Sequence, residues 1–243
     1  MSIQSTNSPR RRWLETIKRQ ALVIVPAALL IIGGFVLAWQ FVEPAAPDRL
    51  IMSTGSQTGA YFAFGQQYKN YFASQGVELE LQNSAGSVEN LSRLKRGDKV
   101  HVAFMQGGIG DTKSNPGLLA LGSVYYEPVW VFVRGNPNAS RLTELKGKRI
   151  AVGAPGSGTR AVAVQLLSDN GINEVTATLL NRGSAEAVKG LISGALDAAI
   201  IVTSVNSATV KKLMSMPNIS LMSFDRAEAY LRRTNYLSRV VLP

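Results

Sequence analysis

The chain has 243 residues, of which 46% are hydrophobic and 17% are charged, and its formal net charge is +10. This length and composition are typical of a globular protein with one domain or two small lobes. Cysteine is absent, which excludes disulfides, thiolate metal sites and a lipid anchor on cysteine, and a single histidine, His101, excludes a histidine-rich metal site. We therefore expect no metal, no cofactor and no catalytic residues.

The positive charge is concentrated at the N-terminus. Residues 1–20 carry five basic side chains and one acidic side chain, a net charge of +4, which leaves +6 for the other residues. Because no dense basic stripe with interleaved aromatic residues follows, we expect no binding to nucleic acid. Basic segments before an apolar one tend to stay in the cytoplasm, so residues 1–20 are predicted to form a cytoplasmic tail.

The apolar segment 21–41 contains 21 residues without a charge. As a helix it would be about 32 Å long, which matches the hydrocarbon core of a bilayer. It is predicted to be an anchor in the cytoplasmic membrane, with the rest of the chain on the periplasmic or extracytoplasmic side. The alternative is a cleaved signal peptide with a small-residue site at 36–38, but the apolar run is longer than such signals usually have.

The first part of the exported chain alternates strands and helices. Tyr61, Phe64 and Tyr68 recur at helical spacing and are predicted to pack on a core, although Tyr61, in the first turn, is also placed to face a ligand. The predicted strands cover residues 49–53, 77–81, 100–105, 117–124 and 128–134, the predicted helices begin at Ala60 and Val88, and a linker holds Pro44 and Pro47.

A glycine-rich turn follows the predicted strand at residues 149–152, and the next helix is predicted to open at Thr159 or Arg160. Such turns bind anions through unpaired amides and the helix dipole. A nucleotide does not fit, because the lysine and hydroxyl of a phosphate loop do not follow Gly158 and the dinucleotide fingerprint is also broken. A nucleophile elbow would need glycine in place of Pro155. The remaining alternative is a tight corner with no ligand.

Two stretches of the chain resemble each other, residues 86–104 and residues 183–201. Each has Gly-Ser, a glutamate three residues after the glycine, and a closing glycine before a strand. The pattern predicts that Ser87 and Ser184 each cap a helix, which the closing glycine ends. We infer an α/β fold of two similar lobes, whose strand-end loops face a shared crevice where ligands bind.

Five motifs stand in order along residues 50–239. They are S-T-G-S-Q-T-G-A-Y-F (53–62), S-A-G-S-V-E-N-L (84–91), L-G-S-V-Y-Y-E-P-V (121–129), L-K-G-K-R-I-A-V-G-A-P-G-S-G-T (145–159) and L-I-S-G-A-L-D-A-A (191–199). As an ordered set they resemble the TAXI class of solute receptors of TRAP transporters, which have the two-lobed type II periplasmic binding fold.

The resemblance implies a receptor rather than an enzyme. Such a receptor captures a small organic acid, or an amino acid such as glutamate or glutamine, and delivers it to TRAP-type permease subunits in the membrane. It implies lobe 1 at 48–133, lobe 2 at 134–222 and the start of a return to lobe 1 at 223–243. Together with Tyr61, the expected ligand-binding residues are Thr54, Gly55, Ser56, Gly59, Ser84, Gly86, Ser87, Asn90, Gln106, Tyr125, Glu127, Ser157, Gly158, Thr159 and Arg160.

Residue chemistry suggests roles within this set. The amides after Gly158 and the hydroxyls of Ser157 and Thr159 are expected to bind a carboxylate. Arg160 would add a charge-assisted contact, unless it is a solvated surface residue. Glu127 would reject a second carboxylate and accept an ammonium group, which favours an amino acid, unless it pairs with an arginine of a lobe.

Further alternatives concern single residues and the end of the chain. Either Tyr125 or Tyr126 is expected to cover the ligand while the other packs as core, and Asn90 either lines the crevice or faces water. His101 stands where the resemblance expects aspartate, and we expect an exposed strand end there. The chain ends at Pro243 before the expected return is complete, which indicates a fragment or a reduced first lobe.

Two other functions remain as alternatives to solute capture for transport. A membrane-anchored ligand sensor would use the same binding module. A hydrolase acting through Ser157 or Ser184 is the third choice, because His101 is the only imidazole that could serve as its base.

Overall fold

The structure, a computed structural model, describes residues 9–42, 47–111 and 113–241. The first eight residues of the predicted tail lie outside the described residues, and so does the part of the predicted linker at 43–46. The chain divides into two compact units, Met1–Pro47 and Asp48–Pro243.

The first unit contains one long helix, α1 (Pro9–Gln40), so the predicted apolar segment is helical. Its stretch Lys18–Gln40 has 23 residues, and an 18-residue window within it has a mean hydropathy of 2.7, so the stretch is long and apolar enough to cross a membrane. An export signal near the N-terminus has the same properties.

The first sheet of the second unit is parallel and has three strands in the order β2-β1-β3. Helix α2 packs its aromatic stripe against this sheet, in a small core with Met52, Leu79 and Phe104, as the helical spacing of the aromatic residues predicted. The elements are β1 (Arg49–Ser53), α2 (Ala60–Ser74), β2 (Glu78–Gln82), α3 (Ser87–Arg96) and β3 (Val102–Ala103).

The second sheet has five strands in the order β6-β5-β7-β4-β8. Strands β5, β6 and β7 are parallel, whereas β4 runs antiparallel to both of its neighbours. The elements are β4 (Val129–Arg134), β5 (Arg149–Ala151), α4 (Gly158–Asp169), β6 (Thr178–Leu180), α5 (Ser184–Ser193), β7 (Ala198–Val202), α6 (Ala208–Met214), β8 (Ile219–Leu221) and α7 (Ala227–Arg233).

Strand β4 separates two apolar cores because alternate side chains of a strand point to opposite faces. Val131 and Val133 join the core formed with α4, while Trp130 and Phe132 join the core formed with α5 and α6. All four are at most 5% exposed. The second sheet is therefore covered on both faces, and α4 is held firmly with its first residue, Gly158, at the carboxyl end of β5.

The C-terminal segment, residues 223–241, packs on the end of α4. Phe224, Tyr230 and Leu237 contact the core that includes α4, and the Tyr230 hydroxyl donates a hydrogen bond to Asn170 Oδ1 at 3.0 Å. Tyr236 reaches the loop after β3, where its ring lies so close to Gly108 that a side chain there would overlap it.

Three of the predicted local structures are wrong. Residues 117–124 form no strand, and Leu119 and Leu121 are exposed, because no neighbouring strand pairs with them in the described chain. The predicted strand at 100–105 is reduced to β3. Ser87 and Ser184 do not cap their helices; the preceding glycines occupy the cap position, so each serine is the first helical residue. The closing glycines, Gly97 and Gly194, do end α3 and α5 in left-handed conformation, as predicted.

Asp197 and Arg149 join the amino ends of β7 and β5, and this pair gives a test of the fold. The Arg149 guanidinium donates to the Asp197 carboxylate at 2.8 and 3.0 Å, and this bonding lowers the pKa of Asp197 from 3.8 to about 2. We expect Asp197→Asn to lower the free energy of unfolding by about 1 kcal/mol at neutral pH, because solvent screens the partly exposed pair.

The pH dependence of this loss follows from the sign of the pKa shift. A carboxylate with a depressed pKa stabilises the fold fully above its unfolded-state pKa, and that contribution is lost as the pH falls toward 2. Urea unfolding should therefore show wild type and variant converging below pH 4. Asp98→Asn, which removes the more exposed pair with Arg96, is the matched control and should cost less. Equal losses for both variants would contradict the assignment.

Candidate ligand-binding site

Two loops at strand ends meet directly in the second unit. The serine corner (residues 84–87) follows β2, and the glycine corner (residues 153–158) follows β5. A β-carbon built on Gly86 would lie 3.3 Å from Ser157 Cα and 3.5 Å from the Gly158 amide nitrogen. The Glu89 amide also donates to the Gly156 carbonyl oxygen at 3.1 Å. The sequence predicted that these corners face each other, and the structure brings them into contact.

The loop after β1 is hydrogen-bonded to the end of β2 and to the serine corner. Thr54 is fully buried, and its hydroxyl donates to the Gln82 carbonyl oxygen at 3.0 Å. The Gly55 carbonyl oxygen accepts from the Ser84 amide, and the Ser56 carbonyl oxygen accepts from the Gly59 amide. Gly59 is the residue before α2, and Ser56 is exposed. The polar groups of this loop are thus used mainly to hold the local backbone.

Ser84 and Ser87 play different parts in the serine corner. The Ser84 hydroxyl donates to the Thr54 carbonyl oxygen and accepts from the Gly86 amide, which closes the turn. Ser87 is 1% exposed. Its hydroxyl accepts from the backbone amide of Gln106 at 3.0 Å and lies 3.2 Å from the Tyr61 hydroxyl. Ser87 therefore links α2, α3 and the end of β3 at the point where the two corners meet.

Asn90 is fully buried beneath the serine corner. Its side-chain nitrogen donates to the carbonyl oxygens of Thr54 and Phe104 at 2.7 and 2.8 Å, and its oxygen accepts from the Ser53 hydroxyl at 2.6 Å. The side chain neither lines the crevice nor faces water, which were the two alternatives considered. It holds the carboxyl ends of β1 and β3 together.

The hydroxyls of Ser157, in the glycine corner, and of Thr159, directly after it, both form hydrogen bonds within the fold. Ser157 caps α4: its hydroxyl accepts from the Arg160 amide at 3.2 Å and donates to the Ala154 carbonyl oxygen at 2.6 Å. The Thr159 hydroxyl accepts from the Val202 amide at 3.3 Å. The Arg160 guanidinium bonds to Asn181 Oδ1, at the end of β6. These residues reach a ligand only by exchanging such partners or by using their remaining hydrogen-bonding capacity.

Gln106 lies against the first residue of α4. A β-carbon on Gly158 would overlap Gln106 Oε1 and would lie 2.9 Å from the Ser87 hydroxyl oxygen. Gln106 Oε1 is buried and has no hydrogen-bond partner among the described residues. Gly158 is thus required by close approach, and an unpaired acceptor sits beside it.

Glu127 lies in a cluster of neutral polar groups, which we call the Glu127 cluster: Tyr61, Ser87, Gln106, Tyr125 and Glu127. The Tyr61 hydroxyl donates to Glu127 Oε2 at 2.8 Å, and the Tyr125 hydroxyl donates to Oε1 at 2.9 Å. Tyr61 stacks on Phe104, and Tyr125 stacks on Phe64, so both rings are fixed by core aromatics. Tyr126, in contrast, is 79% exposed.

Burial raises the pKa of Glu127, while the hydrogen bonds from Tyr61, Tyr125 and Gln106 partly oppose this effect. Burial and the nearby Glu127 charge also raise the pKa of Tyr61 and of Tyr125, so both hydroxyls stay protonated and act as donors. Within the described ranges, no ion pair involves Glu127, so the expected alternative of an arginine partner is wrong for this part of the chain.

A cavity of about 410 Å³ lies on the flank of α4. It is lined by α4, by the loop after β3 at Gly108 and Ile109, and by the C-terminal segment around Tyr236. A volume of this size is typical of small-molecule pockets. Neither Gln106 nor Gly158 lines this cavity, although Gly108 follows Gln106 by two residues in the chain.

Two contributors to this region were not predicted as site residues. Glu89 accepts from the Ala85 amide at 2.7 Å and pairs with Arg93, which rigidifies the serine corner. Asn181 holds the Arg160 guanidinium. The glutamate common to both repeated stretches was the available signal for Glu89, whereas nothing local in the sequence indicates that Asn181 and Arg160 are in contact.

Residues 52–243 match the model of the NMT1-like family. The match covers well over half of the chain. This chain belongs to the NMT1-like family.

Solved structures of ligand-binding proteins share the fold at low sequence identity. An ancestral arginine-binding protein bound to arginine matches with a TM-score of 0.54 and 17% identity, over 77% of this chain and 89% of that one. The alkanesulfonate-binding protein SsuA from Xanthomonas axonopodis pv. citri, bound to MOPS, matches with a TM-score of 0.53 and 16% identity, over 79% and 70%. This chain thus has an α/β fold like that of periplasmic solute-binding proteins.

An effector binding domain has the same fold. The effector binding domain of a BenM variant matches with a TM-score of 0.54 and 14% identity, over 75% of this chain and 82% of that one. The chain spans only 60% of the length of the periplasmic aliphatic sulphonate binding protein SsuA from Escherichia coli.

Asn90 provides a test that separates a structural residue from a ligand contact. Asn90→Ala removes three buried hydrogen bonds, including the one that Asn90 donates to the Phe104 carbonyl oxygen, so we expect the free energy of unfolding to fall by about 2–4 kcal/mol. Urea unfolding measures the change. A variant as stable as the wild type would contradict the role described here.

Gly86 tests the contact between the corners. Its φ of 130° is a conformation that side chains rarely adopt, and a β-carbon would press on Ser157. We expect Gly86→Ala to cost about 1–3 kcal/mol of unfolding free energy. Gly117→Ala, at a position with no neighbour within 4 Å and no positive φ, is the control and should change stability little. Equal effects in thermal unfolding would overturn this account of the close approach.

Proposed function

We propose that this chain is an extracytoplasmic receptor that captures a small carboxylate-bearing molecule between two lobes, one built on each sheet. The observation that carries the proposal is the meeting of the serine and glycine corners at the carboxyl ends of parallel strands. This is where open α/β sheets bind ligands, and the first turn of α4 offers amides that suit a carboxylate. The ligand is an organic acid or an amino acid such as glutamate or glutamine.

Binding at this place requires the two corners to separate. Gly86 lies against Ser157, and Gln106 lies against Gly158, so a ligand that contacts both corners must move one away from the other or displace the Gln106 side chain. A ligand that binds the closed arrangement more tightly than the open one shifts the population toward closure. We therefore propose that the corners separate to admit the ligand and then close around it.

Delivery to a TRAP-type permease is the finer part of the proposal. It rests on the ordered motifs that resemble TAXI receptors, and on α1, which is long and apolar enough to anchor the receptor in the cytoplasmic membrane beside its carrier. A gene for a multi-span carrier next to that of the receptor would support delivery, and uptake of the captured ligand should then require both proteins.

A membrane-anchored ligand sensor is the second candidate. The likeness to the effector binding domain of a BenM variant favours it, because that domain binds an effector and has the same fold. Both candidates predict the same capture site. They differ in the partner, which is a membrane carrier for the receptor and a signalling protein for the sensor.

A ligand screen tests capture. We expect one or more amino acids or C4–C5 acids to stabilise the purified full chain by about 2.7 kcal/mol at a hundredfold excess over Kd. Thermal unfolding in detergent is the measurement. A flat result over the whole panel, from protein with a cooperative unfolding transition, would contradict solute capture.

Arg160 tests the place of capture. If its guanidinium moves from Asn181 to the ligand carboxylate, Arg160→Ala should weaken binding about tenfold or more, as expected for a charge-assisted hydrogen bond. Arg182→Ala is the matched control, since Arg182 is also partly exposed and pairs with Glu186. Calorimetry on both variants gives the comparison, and equal losses would place the ligand elsewhere.

A further inference from the structure

The Glu127 cluster has more hydrogen-bond acceptors than donors. The carboxylate of Glu127 receives hydroxyl hydrogens from Tyr61 and Tyr125. The Gln106 side chain lies near enough to lower the pKa of Glu127, and its Oε1 lies against Gly158. This oxygen is buried without a donor in the part of the chain that the structure describes. A buried acceptor without a partner is costly, so the cluster is incomplete as it stands.

The Glu127 cluster, as defined above, contains no positively charged group. The groups that face Glu127 are Tyr61 from α2, Gln106 from the end of β3, and Tyr125 from the segment before β4. Ser87 from α3 stands behind Tyr61. All of these are neutral when the tyrosines are protonated. A partly buried carboxylate surrounded only by neutral groups is normally matched by a cation or carries a proton.

Hydrogen bonds and close contacts connect the Glu127 cluster to the proposed capture site. The Tyr61 hydroxyl joins Glu127 to Ser87, and the Ser87 hydroxyl and Gln106 Oε1 both lie against Gly158, the first residue of α4. A ligand between the corners thus has helix-start amides on one side and two acceptors, Glu127 and Gln106 Oε1, on the other. An ammonium group has three donors and one positive charge, which fits both acceptors.

We propose that Glu127, with Gln106 Oε1, selects ligands that carry an ammonium group next to their carboxylate, and that such a ligand displaces a proton from Glu127 when it binds. This inference rests on the proposed function, because it assigns the second half of the same capture site. The carboxylate of an amino acid lies at the start of α4, and its ammonium group lies between the two acceptors. The displaced proton passes to solvent.

The proposal gives opposite pH dependences for two kinds of ligand. Burial raises the pKa of Glu127, so the proton is bound at a higher pH than in an ordinary carboxyl group. An ammonium ligand binds the ionised form, and its affinity rises with pH through that titration. An acid without an amine is repelled by the ionised form, so its affinity falls over the same range.

The experiment compares amino acids with the acids that lack only the amine. The probes are L-glutamate against glutarate, L-leucine against 4-methylpentanoate, and L-alanine against propanoate, titrated calorimetrically into the full chain in detergent between pH 5 and pH 8. We expect at least one amino acid to bind about ten- to hundredfold more tightly than its partner at the upper end. Titration in buffers of different ionisation enthalpy should show release of up to one proton per ligand.

Variants test whether the preference for amino acids and the release of protons depend on the Glu127 carboxylate. Glu127→Gln keeps the size of the side chain but removes the charge, so the preference for the amino acid and the proton release should both disappear. Glu78→Gln, which makes the same change at an exposed position, is the control and should retain both. The pH profile of the wild type keeps the test decisive if Glu127→Gln does not fold.

The outcomes separate this inference from the proposed function. Amino acids that bind more tightly than their partners, with release of protons, support both. Acids that bind equally well or better than the amino acids overturn the ammonium site and leave solute capture standing. Failure of every probe to bind overturns solute capture, and the ammonium site falls with it.

Discussion

The close approach of two backbone corners is the constraint on which the rest of the binding region depends. Gly86 and Gly158 have no side chains, so the loops after β2 and β5 meet at van der Waals distance, and the Glu89 amide reaches the Gly156 carbonyl oxygen at 3.1 Å. The polar groups of the proposed capture site lie around this contact. The two sheets position it, since α4 is packed on the second sheet and α3 is fixed to the first by Asn90.

Hydrogen-bond accounting distinguishes supporting residues from those with unused capacity. The hydroxyls of Thr54, Ser84 and Ser157 hold turns and a helix start. In contrast, Glu127 has no cationic partner in the described chain, and Gln106 Oε1 has no donor there. Polar groups of the first kind account for the shape of the corners, and those of the second kind are the groups that we propose to bind the ligand.

Local signals in the sequence predicted much of the fold. The aromatic spacing of α2 and the closing glycines of α3 and α5 reflect short-range geometry, and both predictions are confirmed. The strand at 117–124 was wrong because a strand exists only where a distant segment pairs with it, and periodicity carries no information about that segment. Ser87 was wrong as a cap because the glycine before it adopts a conformation suited to glycine and takes that position.

The site was predicted less completely than the fold. The sequence motifs predicted which loops lie at the site, but they did not show which side chains already form hydrogen bonds within the fold. Asn90 forms three buried hydrogen bonds and the Arg160 guanidinium bonds to Asn181, and these partners come from elements far apart in the chain. Such partners depend on tertiary packing, which a single sequence does not reveal.

The ring of Tyr236 against Gly108 has a mechanical consequence. The C-terminal segment is attached to the end of α4 through Tyr230 and Leu237, and its tyrosine presses on the loop that carries Gln106. Moving the first sheet away from α4 must therefore displace the Tyr236 ring from Gly108 or bend the C-terminal segment. The free energy needed for this movement is subtracted from the free energy of binding, so Tyr236, which lies beyond α7, would lower the affinity of the proposed site for a ligand without contacting the ligand.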